Sequence, residues 1–114
     1  MQFHQLSNDV FVTGQISPQD LRAFAGKGVK TVVNNRPDNE GFGQPASAEI
    51  AAAAEELGMK YLYFPVLSNG ISRENVEEFA KIRPGLEGPV LLFCRTGARS
   101  TKLWELSFVI RPEK

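Results

Sequence analysis

The order of signals along the chain predicts an α/β fold: a mostly parallel central sheet of four or five strands with helices on both faces. Two observations carry this reading. Short β-branched and aromatic runs alternate with helix-length segments from one end to the other. One of those runs, Val90-Leu91-Leu92-Phe93, is apolar at every position, as a strand covered on both faces must be. The 114 residues are read as a single domain, 1–114, long enough for one core and too short for two.

Val10-Phe11-Val12-Thr13 reads as the first strand, ended by Gly14. Ser17-Pro18-Gln19-Asp20 opens a helix: Ser17 caps, Pro18 suits the first turn, and Asp20 favours the positive helix start. Val29–Asn34 is the next strand. Asn35 to Ala46 follows with two Pro and two Gly, which argues for a long irregular loop, and loops of that length often have a role. Ser47–Leu57 is alanine-rich, with Ile50, Ala53, Ala54 and Leu57 at helical spacing and Gly58 as its stop. Lys60–Val66 is a strand. Ser72 caps a helix from Arg73 to Ile82, with Val76, Phe79 and Ala80 facing inward. After the Val90–Phe93 strand a last helix runs from Ser100 toward Pro112. The chain stops soon after it, as a domain trimmed from a longer protein would.

Thirteen basic and thirteen acidic side chains cancel, so no general field draws the chain to nucleic acid or an anionic membrane. No apolar run is long enough to span a bilayer, and Met1-Gln2-Phe3-His4-Gln5 lacks the pattern of a secretory signal. One cysteine, Cys94, excludes an internal disulfide and makes a reducing, cytoplasmic setting the default expectation. One Cys and one His make no metal site. His4 lies near the terminus and is given no role.

Cys94 directly follows the most apolar strand and precedes Arg95-Thr96-Gly97-Ala98-Arg99-Ser100 and a helix. Ligands of open parallel sheets bind beyond the carboxyl ends of strands. A loop wound against a helix start aims backbone N–H groups inward and makes an anion cradle. Such a cradle favours a thiolate, the nucleophilic form of a cysteine. Arg99 offers a planar fork for an oxyanion, Gly97 permits a left-handed turn, and Ser100 can donate its hydroxyl to the sulfur. Cys94 and Arg99 are therefore the candidate catalytic residues, with Arg95, Thr96, Gly97, Ala98 and Ser100 as candidate anion-binding residues. Arg36 and Asp38 of the long loop join that list, although Asn34, Pro37 and Asp38 also suit a plain turn.

Cys94–Ser100 resembles the active-site loop of rhodanese-type sulfurtransferases. The chain as a whole resembles the phosphatase-like domain of beta-lactamase hydrolase-like proteins. The match lies in Val12-Thr13-Gly14-Gln15, Asn34-Asn35-Arg36-Pro37-Asp38, Gly43-Gln44-Pro45, Ala48-Glu49-Ile50 and the Cys loop. That resemblance implies a fold like the protein-tyrosine and dual-specificity phosphatases and a cysteine-dependent enzyme. It further implies, through relatives fused to a metallo-beta-lactamase-like persulfide dioxygenase, a partner of that kind.

Phe93 precedes Cys94 where many such phosphatases have His, and two further departures from the phosphatase pattern favour sulfur transfer. Phosphatases of this fold carry one residue more between Cys and Arg, so the ring here is shorter by up to about 3.3–3.6 Å of contour. Their acidic residue after the strand matching Lys60–Val66 is missing from Leu67-Ser68-Asn69-Gly70-Ile71, which leaves Asp38 or Glu40 as substitutes. The main expectation is a sulfurtransferase passing sulfane sulfur through a Cys94 persulfide, from thiosulfate or glutathione persulfide to a thiol, sulfite or cyanide. It needs no cofactor, and every catalytic reading of Cys94, this one and the phosphatase alike, requires its side chain to be open to solvent and the surrounding peptide groups to face inward. The alternatives are a phosphatase with a Cys94 phosphocysteine, and a non-catalytic anion-binding or redox-sensing module.

Overall fold

A computed structural model describes residues 3–110. Five strands, β1 (Phe3–Ser7), β2 (Val10–Thr13), β3 (Thr31–Asn34), β4 (Lys60–Tyr63) and β5 (Val90–Phe93), form one sheet in the order β1-β2-β5-β3-β4. Only β1 runs antiparallel to its neighbour; the other pairings are parallel. Four helices connect them: α1 (Leu21–Ala25), α2 (Ser47–Glu56), α3 (Arg73–Ile82) and α4 (Ala98–Val109).

The three central strands, β2, β5 and β3, are buried at every residue, as the all-apolar run of β5 suggests, with Thr13, Thr31 and Asn34 as their buried polar residues. Alternate residues feed opposite cores. Phe11, Val32 and Leu91 meet α1 and α2 through Phe24 and Ile50, while Val12, Val33 and Leu92 meet α3 and α4 through Phe79 and Leu103. The helices pack where their apolar residues recur, and their starts are fixed as their side chains suggest. Ser17 accepts from the amide of Asp20, whose carboxylate accepts from the amide of Ser17, across a 3-10 turn leading into α1. Ser72 caps α3 in the same way.

Three boundaries and one strand differ from the sequence reading; the strand expected over Lys60–Val66 ends at Tyr63, because Pro65 has no N–H to donate to a ladder. The strand expected from Val29 begins at Thr31, because Val29 and Lys30 bond to Phe24 and Pro89 carbonyls outside the ladder. The last helix begins at Ala98, two residues early, since the loop after β5 turns directly into it. The strand β1 was not anticipated. Its alternation is weak because it is an edge strand with mostly exposed residues, yet Phe3 packs edge-on against Phe11 and Phe24 at 5.6 and 5.7 Å. It also places His4 in the sheet, opposite Val12. Pro112 lies outside the described residues, and no helix among those described is long and apolar enough to cross a membrane.

The decisive feature is the position of β5. It is last in sequence among the strands and inserts between β2 and β3, so the carboxyl ends of β2 and β3 flank Cys94. Gly14, after β2, lets the two loops touch: a Cβ there would lie 2.8 Å from the Arg95 carbonyl oxygen, which accepts from the Gln15 amide at 3.1 Å. We expect Gly14→Ala to push the Cys loop out of place and to lower stability by about 1–3 kcal/mol in urea denaturation. An unchanged midpoint would show that the two backbones are not locked together.

Candidate active site

The Cys loop is a short turn that becomes a helix. Gly97 adopts φ 96°, a conformation that side-chain-bearing residues rarely take. The turn brings the Gly97 amide to Cys94 Sγ at 3.0 Å. Beyond it, the amides of Ala98, Arg99 and Ser100 occupy the first turn of α4 and have no carbonyl partner within the helix. The positive end of α4 thus lies at the loop. Thr96 turns its hydroxyl to the Ala98 amide at 3.3 Å, and Arg95, Thr96 and Ala98 are exposed at the rim.

Two expectations fail here. Ser100 does not donate to the sulfur: its hydroxyl donates to Asn35 Oδ1 at 2.7 Å, in a fully buried bond. The Cys94 side chain is not open either. Cys94 is 0% exposed, so a substrate reaches Sγ only through movement of the surrounding loops.

Asn35 was not singled out in the sequence. Its side chain accepts from Ser100 and donates through Nδ2 to the Phe64 carbonyl at 2.9 Å, while its amide donates to the Phe93 carbonyl at 2.8 Å. One residue therefore joins the end of β5, the segment after β4 and the start of α4. Its signal was a buried-strand position followed by a polar side chain, the same placement that marks Cys94 on β5.

The long loop reaches the site through Glu40. Its carboxylate accepts from Arg99 through both oxygens, Nη1 to Oε2 at 2.8 Å and Nη2 to Oε1 at 2.7 Å, and from Arg36 Nε at 2.9 Å. The side chains of Glu40 and Arg99 are only 19% and 13% exposed, so this pair is little screened by solvent. Arg99 Nη1 also donates to the Val66 carbonyl at 2.8 Å. Arg36 is buried, and its Nη1 donates to Gln15 Oε1 at 3.0 Å. Asp38 sits elsewhere: it accepts from the Ser47 amide at 2.7 Å at the start of α2, and its own amide donates to Tyr63. Gln44 holds the loop's shape by accepting from the Glu40 and Gly41 amides and donating to the Pro37 carbonyl.

The Arg99 hydrogen bond, helped by Arg36, holds the Glu40 carboxyl below its ordinary value of 4.5. The same bond raises Arg99 above the usual arginine value. Beside Arg99, a 160 Å³ cleft opens between Leu67–Ile71 and the first turns of α4, with Lys102 in its lining. No group of three or more His, Cys, Asp or Glu side chains among the described residues is placed to hold a metal ion.

Comparison with known proteins supplies the rest. Residues 2–110 match the family model of the phosphatase-like domain of beta-lactamase hydrolase-like proteins. A beta-lactamase hydrolase-like protein of Xylella fastidiosa is 31% identical over 96% of this chain, which spans about a quarter, 26%, of that relative's length. Among solved structures, a candidate phosphatase from Neisseria meningitidis is 35% identical with a TM-score of 0.81, covering 88% of this chain and 71% of that one. The core catalytic domain of the PP-IP phosphatase SIW14 from S. cerevisiae, at 13% identity and a TM-score of 0.65 over 83% of this chain and 56% of its own, shares the fold.

These relatives overturn the expectation of a sulfurtransferase with a Cys94 persulfide: family and solved neighbours alike are phosphatase-like. The contour argument failed for a structural reason. It treated Cys94 to Arg99 as a free length of chain, whereas Ala98 and Arg99 already belong to the first turn of α4.

Two outcomes test this geometry. Asn35→Ala, which leaves the Ser100 hydroxyl and the Phe64 carbonyl without their buried partner, is expected to cost about 1–3 kcal/mol in urea denaturation. Because Glu40 is lowered in the folded state, its contribution is fully present above 4.5 and is lost as pH falls through the folded value. Acid titration of stability below pH 4.5 should therefore be shallower in Glu40→Gln than in the parent; equal slopes would contradict the pairing.

Proposed function

We propose that this chain, which belongs to the family of phosphatase-like domains of beta-lactamase hydrolase-like proteins, hydrolyses phosphate monoesters through a phosphocysteine on Cys94. The observation that carries the reading is the placement of Cys94: after the central strand, with the Gly97 amide on its sulfur and the start of α4 behind it. The phosphatase-like character of the family and of the Neisseria meningitidis relative supports the same reaction.

In the first step the Cys94 thiolate attacks phosphorus. The S–P bond forms, the P–O ester bond breaks, and the leaving oxygen departs with the electron pair. Once the surrounding loops move to admit the ester, the three remaining phosphoryl oxygens lie toward the first-turn amides of α4 and the guanidinium of Arg99. In the second step water attacks phosphorus and the S–P bond breaks. Phosphate leaves, the thiolate is restored, and the proton of the water passes to solvent. The displacement at phosphorus needs neither oxidant nor reductant.

Rates on an aryl phosphate give the test. Cys94→Ser is expected to abolish turnover, and Arg99→Ala to lower kcat/KM by about 10²–10³. Turnover that survives Cys94→Ser would remove the covalent route. Failure of the parent protein to release phosphate from any ester would remove the function.

A further inference from the structure

The Arg99 guanidinium has five N–H groups, and the structure accounts for three. Both protons of Nη1 are taken, by Glu40 Oε2 and the Val66 carbonyl, and one proton of Nη2 goes to Glu40 Oε1. Among the described residues no hydrogen bond is recorded for Nε or for the second proton of Nη2. These two protons form the side-on edge of the fork, which matches two oxygens of a phosphoryl group. Glu40 therefore occupies the end-on edge of Arg99 and leaves the side-on edge without a partner among the described residues.

The same bonds limit what Glu40 can do. Oε1 accepts from Arg36 and Arg99, and Oε2 accepts from Arg99. Every contact is from an N–H donor of a cation, and a carboxyl proton would face those donors. The charged groups against Glu40 are Arg36, from the loop after β3, and Arg99, from α4. Their effect on its ionisation runs the same way. Asp38 is committed to the start of α2. The cleft beside Arg99 is lined by no carboxyl or imidazole; besides Arg99, its ionisable side chain is Lys102. His4 and Glu105 line an adjoining hollow with Thr96, Gly97 and Thr101; it shares Ala98 and Lys102 with the cleft and does not include Arg99.

From this arrangement, and resting on the phosphatase reading above, we propose that the site takes phosphoryl groups whose leaving group departs without a proton, a phenolate or a phosphate rather than an aliphatic alkoxide, and that Glu40 is a positioning residue for Arg99 and not the acid. The charge of Lys102 in the cleft lining then stabilises the departing oxyanion. S–P bond formation is accompanied by P–O cleavage, with the electron pair left on an oxygen that is stable as an anion.

The experiment is a series of aryl phosphates of graded phenol acidity, with inorganic pyrophosphate and phosphoserine beside them. The quantity read is kcat/KM, which reports the cysteine-phosphorylation step. The proposal expects a fall of about tenfold per unit rise in phenol pKa, because charge on the leaving oxygen goes unquenched. It also expects turnover of aryl phosphates, of pyrophosphate or of both, with phosphoserine at least 100-fold or so slower. In Glu40→Gln the slope should stay as steep while kcat/KM drops for all substrates, and the affinity for inorganic phosphate as a competitive inhibitor should weaken with it. A shallow slope in the parent protein would overturn the proposal, as would phosphoserine turnover comparable to that of aryl phosphates. A parent slope that steepens in Glu40→Gln would identify Glu40 as the acid and overturn it too. If Glu40→Gln does not fold, the parent slope alone decides. Failure of every substrate, the best leaving group included, would instead remove the phosphatase reading on which the proposal stands.

Discussion

The insertion of β5 between β2 and β3 is the constraint on which the site depends. A nucleophile placed after an edge strand would meet solvent on one side. Cys94 follows the central strand and is met on one side by the loop after β2 and on the other by the loop after β3. Gly14 lets the first of these loops approach the Arg95 carbonyl, and Asn35 of the second bonds to Phe93, Phe64 and Ser100. The sheet core then contributes rigidity, because all three strands are buried on both faces.

Charge is organised around that frame in two layers. The first is built from backbone: the Gly97 amide on the sulfur and the start of α4. The second is the chain Gln15–Arg36–Glu40–Arg99, which crosses from the loop after β2, through the long loop, to α4. A carboxylate between two guanidiniums at low exposure is favourable only because all three groups are paired; removing the middle one leaves two cations facing each other. The long loop therefore serves the site by fixing the orientation of Arg99. Gln44 fixes the loop in turn.

Much of this was readable from the residues, for physical reasons. The run Val90–Phe93 of β5 is apolar throughout, as a strand covered on both faces must be, and β2 and β3 carried the β-branched and aromatic residues of strands. Ser17, Ser72 and the stop at Gly58 placed helix ends because capping is local chemistry. The Cys94–Ser100 loop stood out because glycine, cysteine and arginine at that spacing before a helix have few structural uses. What escaped was long-range. Asn35 and Glu40 act through partners 65 and 59 positions away, Ser100 and Arg99. The burial of Cys94 also followed from loops that no local pattern could place. The edge strand β1 escaped because an exposed strand needs little apolar surface. The choice of sulfur over phosphate rested on the length of the Cys loop and a missing carboxylate, and the phosphatase-like family and its solved relative overturn it.

The account stands on a covalent bond between Cys94 and phosphorus. Rapid quenching of the protein during turnover of an aryl phosphate, followed by intact-mass and peptide analysis, measures that bond directly. The account predicts a mass gain of one phosphoryl group, carried by the peptide containing Cys94 and absent from Cys94→Ser. Steady turnover with no such adduct, or a phosphoryl group on a different residue, would contradict it.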